Sequence, residues 1–142
     1  MLMLVVALYH PNVATAHGGA EMEQDPCVRK MGESAVHFSA YQPQYEIKDQ
    51  YCTEISQEGD TFLVVDLVDG ALRNEPVGMR VTRGNGKNAA EGEIVADIRP
   101  STHPDGVLRS EVKLDEGLYT VTIESGQRNL TRHPQYLLRV HM

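Results

Sequence analysis

Hydrophobic and polar residues alternate with a period of two along several short runs of the chain. Val36, Phe38 and Ala40 interleave with His37, Ser39 and Tyr41, and Tyr119, Val121 and Ile123 interleave with Thr120, Thr122 and Glu124. Successive side chains of a strand point to opposite faces of a sheet, so the first set of each pair is expected to face a core. The stretch 61–67, Thr-Phe-Leu-Val-Val-Asp-Leu, is apolar at consecutive positions and reads as a central strand. With Gly, Pro, Asn and Asp as punctuation, the pattern predicts seven strands, at 35–42, 61–67, 77–83, 94–98, 107–114, 118–124 and 136–141. Residues 69–74 offer one helical turn at most. Seven short strands with turn signals about ten residues apart predict an all-β fold, an immunoglobulin-like Greek-key β-sandwich.

Two loops sharpen that expectation. Leu114-Asp115-Glu116-Gly117-Leu118-Tyr119 runs from one predicted strand into the next and has the form of a tyrosine corner. In such a corner the Tyr hydroxyl turns back to an upstream backbone group and pins the crossover between the sheets. The stretch 83–88, Arg-Gly-Asn-Gly-Lys-Asn, has the glycines of a phosphate cradle but leads into another strand rather than a helix N-terminus. It reads as a turn, with Asn85-Gly86 supplying the positive φ angles.

The N-terminal stretch is of another kind. Residues 2–9 form an apolar run, and Ala14-Thr15-Ala16 places small residues where a signal peptidase reads. Residues 1–16 therefore read as a signal peptide, although the basic residue that normally opens one is missing before Arg29. Residues 17–34 follow as a flexible segment and 35–142 as the sandwich domain. Cys27 and Cys52, 25 positions apart, suit a disulfide closing one loop in an oxidising compartment. Such a bridge stabilises by about 3 kcal/mol on the chain-entropy model; two free buried thiols are the alternative. The expected location is the periplasm or the exterior.

Composition narrows the function classes. Twenty acidic residues against 13 Lys and Arg give a formal charge of -7, which works against binding a phosphate backbone. An aromatic share of 6% without Trp works against a carbohydrate-stacking surface. No apolar run reaches the roughly 20 residues of a membrane-spanning helix. GxSxG, HExxH and CxxC are all absent, so the expected protein is not an enzyme.

The candidate chemistry is metal binding. Cleavage after Ala16 makes His17 the first residue, and its free α-amine and imidazole Nδ1 can then close a chelate on one ion. An α-amine loses its proton near pH 8, so this histidine brace is available close to neutrality. One more imidazole gives a nitrogen set that suits copper. His37, on the outward face of the first predicted strand, is the first candidate partner, and His103, in the loop Ser101-Thr102-His103-Pro104, the second. His133 and His141 are the remaining histidines of the mature chain. Met22, Met31, Met79 and Met142 are scattered and read as packing or surface, while Glu21, Glu23 and Asp25 are a solvated acidic run that could add carboxylate oxygens.

The start His17-Gly18-Gly19, then Cys27, His37-Phe38, Tyr41-Gln42-Pro43 and Cys52-Thr53-Glu54, with LVVDLVD and LDEGLYTV downstream, resembles a group of small exported bacterial proteins sharing an HGG start. That resemblance implies export and a shared sandwich and carries no activity. The closing strands also resemble the CopC-like and YtkA-like periplasmic domains. CopC-like proteins begin with His and bind copper, which implies the same cofactor here, although they lack this cysteine pair. The expected function is an exported copper carrier or store with His17, His37 and His103 as candidate ligands. The rival is an envelope interaction module that presents sheet edges or end loops to another envelope protein.

Overall fold

The computed structural model describes residues 25–45, 51–85, 92–130 and 132–142. The signal-peptide reading, His17 and most of the Gly-Asn-Gly-Lys-Asn loop lie outside them. Among the described residues nine strands follow in chain order: β1 (Val28–Met31), β2 (Ser34–Tyr41), β3 (Glu54–Ile55), β4 (Gly59–Leu67), β5 (Val77–Arg83), β6 (Ile94–Ser101), β7 (Val107–Leu114), β8 (Gly117–Ser125) and β9 (Gln135–Val140). A four-stranded sheet has the order β1-β2-β4-β7 and a five-stranded sheet the order β3-β9-β8-β5-β6. All pairs are antiparallel except β3, which runs parallel to β9. The chain changes sheet on either side of β3, between β4 and β5, between β6 and β7, and between β7 and β8, so β7 returns to β4 and β8 to β5. This is the Greek-key sandwich that the strand pattern predicts.

The alternation seen in the sequence sets the faces. Val36, Phe38, Ala40, Tyr119, Val121 and Ile123 are all fully buried. They meet Leu63, Val65 and Leu67 of β4 and Tyr136, Leu138 and Val140 of β9 in one core. Each large apolar side chain so removed from water contributes about 1.5–3 kcal/mol. The Phe38 and Tyr136 rings close the gap between the sheets, with centroids 5.0 Å apart. β4 is central, paired with β2 on one side and β7 on the other, although Phe62, Val64 and Asp66 on its outer face are only half-buried. The tyrosine corner is present: the Tyr119 hydroxyl donates to the Asp115 carbonyl at 2.9 Å.

Two strands go beyond the seven expected. β1 falls inside the stretch read as a flexible segment, because Val-Arg-Lys-Met buries only Met31 and so shows no alternation. It is a four-residue edge strand, joined to β2 by a two-residue turn in which Gly32 takes φ 64°. β3 has two residues, too few for any pattern. Alternation also breaks where a polar group is buried on the expected outer side. Thr120 is fully buried and donates through Oγ1 to the Gly84 carbonyl at 2.9 Å.

Candidate metal centre

His37 stands in the middle of β2, opposite Val28 of β1 and Asp66 of β4. The alternation that sends Val36 and Phe38 into the core turns His37 to the outer face, where its side chain keeps 25% of its exposure. Its Nε2 lies 3.4 Å from Oδ2 of Asp25, and its Nδ1 lies 3.6 Å from Oδ2 of Asp66. One imidazole thus sits between two carboxylates supplied by different parts of the chain.

Asp25 is oriented by its own turn. Its Oδ1 accepts the backbone N–H of Cys27 at 2.8 Å, which leaves Oδ2 facing the imidazole. The Cys27 carbonyl in turn accepts the Phe38 N–H at 3.1 Å and the Tyr136 hydroxyl at 2.9 Å. Cys27 is bonded to Cys52, with the Cα atoms 5.6 Å apart. These ties fix the entry of the chain into β1 against the two sheets.

Asp25, Cys27 and His37 bring a carboxylate oxygen, a sulfur and a ring nitrogen within 4.8 Å of one another. The sulfur of a disulfide carries no thiolate charge, so the effective donors are the Asp25 oxygen and His37 Nε2. Two ligands each about 2.1 Å from one ion stand about 3.0–3.4 Å apart for angles between square and tetrahedral. The observed 3.4 Å separation fits. Asp66 Oδ2 stands at the other ring nitrogen, 3.6 Å from Nδ1, an ion-pair distance longer than a hydrogen bond.

The other histidines lie apart from this group. His103 Nε2 is 3.0 Å from the Val77 carbonyl and 3.2 Å from Ser101 Oγ, so the ring is engaged at the junction of β5 and β6. It joins no cluster of three metal-ligating side chains among the described residues. His141 Nε2 is 3.9 Å from a Glu54 carboxylate, and His133 lies in the loop before β9. Met31 and Met79 are fully buried in the core and Met142 is 86% exposed, which leaves no thioether beside His37 among them. Asp66 was invisible as a site residue in the sequence. Its only signal is an acid at an outward position of a strand otherwise apolar, Leu-Val-Val-Asp-Leu.

No family model matches the chain, and no curated protein matches it. Among solved structures it is similar to the PmoD soluble domain from Methylocystis sp. ATCC 49242 (Rockwell), with a TM-score of 0.64 at 19% identity, covering 81% of this chain and 98% of that one. At that identity the likeness is one of fold.

Proposed function

We propose that the chain is an exported copper-binding protein, a carrier or store without catalytic turnover, whose metal is held by His37 and Asp25 together with the N-terminal His17. The observation that carries this reading is the placement of His37 between Asp25 and Asp66 on the outer face of the four-stranded sheet. The formed Cys27–Cys52 bridge supports an oxidising compartment. No described helix is long and apolar enough to cross a membrane.

His17 lies eight residues before Asp25. A segment of that length reaches at most about 29 Å when extended, so an amine and imidazole at residue 17 can arrive at the ion held by His37. Two imidazoles, an amine and one carboxylate form an N,O set that suits copper in a tetragonal geometry. The half-exposed outer face lets an ion enter and leave, as a carrier requires.

Intact mass spectrometry of the exported protein followed by competition titration with Cu(II) and Cu(I) tests this. The expected result is a chain beginning at His17, lighter by the two hydrogens of a disulfide, that takes up one copper ion. A chain that begins elsewhere, or one that binds no copper above background, would leave the envelope interaction module as the better account.

A further inference from the structure

Where the edge strand β1 meets the loop before β9, a cavity of about 440 Å³ is lined by Arg29, Lys30, Arg132, His133, Pro134 and Gln135. Arg29 follows Val28, the neighbour of His37, and so points to the other face of β1. Its guanidinium lies 4.8 Å over the Tyr136 ring, and Nη1 donates to the carbonyls of Pro26 and Val28. Arg29 is thereby held in place, with its remaining N–H groups unassigned. Neither Arg29, Lys30 nor Arg132 has a carboxylate partner among the described residues, whereas Arg80, Arg83 and Arg128 each do. His133 Nδ1 is buried and has no hydrogen-bond partner among the described residues.

Like charges lining one concavity repel one another. That repulsion is relieved by one anion. The volume suits a small molecule. The local charge runs against the chain's net -7, so it is a feature of this cavity and not of the surface at large.

We propose that this cavity binds a small oxyanion of the phosphate or dicarboxylate class. Arg29 and Arg132 offer paired N–H donors to its oxygens, and Lys30 adds a third charge at the rim. The site shares no residue with the copper centre and stands independently of it.

The test uses the full metal-free chain at low ionic strength. Inorganic phosphate and succinate are titrated in separate experiments and followed by amide chemical shifts and calorimetry. The expected result is saturable binding of at least one probe, with shifts centred on Arg29, Lys30, Arg132 and His133. Which probe binds more tightly separates the two ligand sources. Lys30→Gln with Arg132→Gln, both at exposed positions, weakens it by about tenfold or more, and added salt weakens it further. His37→Ala leaves it unchanged. Failure of both probes to saturate through the millimolar range, or equal binding by the folded double variant, would overturn the proposal.

Discussion

The hydroxyl of Tyr136, on β9 of the five-stranded sheet, donates to the carbonyl of Cys27 at 2.9 Å, at the start of the edge strand of the other sheet. The ring packs on Phe38 and is almost wholly buried, and burial pushes its hydroxyl well above the ordinary tyrosine range, so it stays protonated and donates. Tyr136→Phe keeps the packing and removes the donor. The expected cost is about 1 kcal/mol. Amide exchange should quicken around Cys27 and Val28 and remain unchanged at Val81 and Val121. Uniform acceleration over the whole sandwich would argue against a local tie.

Arg128 joins the sheets at a second place. Its Nε and Nη2 donate to the two carboxylate oxygens of Glu75 at 2.6 and 2.9 Å, Nη1 donates to the Met31 carbonyl at 2.9 Å, and Nη2 also reaches Ser34 Oγ at 3.1 Å. The hydrogen bonds from Arg128 hold the Glu75 carboxyl below the usual carboxylate range. A carboxyl lowered in the folded state contributes stability that is fully present above its unfolded pKa and is lost as pH falls through the folded value. The pair is partly exposed, so Glu75→Gln should cost about 1–2 kcal/mol at neutral pH. The difference from the parent chain should shrink below about pH 4. Denaturant unfolding at pH 7 and pH 3 measures it, and a gap that stays constant would show that the charge of Glu75 contributes nothing.

The disulfide is assigned a structural role and no ligand role. Cys27→Ala with Cys52→Ala should lower stability by about 3 kcal/mol. Copper affinity, measured where the variant is still folded, should change by only a few-fold. A loss as large as that caused by removing His37 would place sulfur in the site.

In the proposed site Asp66 acts on the metal by its charge beside the imidazole. Asp66→Ala removes the carboxylate 3.6 Å from Nδ1 and with it the charge that faces that side of the ring. Loss of such a partner typically costs about 10–100-fold in metal affinity. The strand itself should persist, because the Asp66 side chain is half exposed and its backbone pairs with both neighbours. Copper titration with a circular dichroism control measures this, and unchanged affinity would remove Asp66 from the account.

The parts of the fold legible in the sequence are those written as local periodicity. Val36-Phe38-Ala40 and Tyr119-Val121-Ile123 state their faces directly, and the Asp115 to Tyr119 stretch states its corner through spacing alone. β1 was not legible, because an edge strand with Arg29 and Lys30 exposed buries too little to show a period. The bringing together of His37, Asp25 and Asp66 depends on strand register, which no local pattern encodes. His37 could be placed on an outer face from alternation, yet its neighbours became known only once β4 was set beside β2. His103, a loop ligand candidate by position, has its Nε2 3.0 Å from the Val77 carbonyl. Tyr41-Gln42-Pro43 also gains a structural meaning: Gln42 is buried and its amide nitrogen donates to the Gln57 carbonyl at 2.7 Å, fixing the turn into β4.

The central claim is that His37 holds the metal, and the most direct measurement is the Cu(II) affinity of His37→Ala and His103→Ala side by side in the mature chain. Loss of a coordinating imidazole should weaken binding by about a hundredfold or more, while loss of His103 should change it by less than about threefold. Equal affinities for the two variants, or a greater loss with His103→Ala, would contradict the assignment.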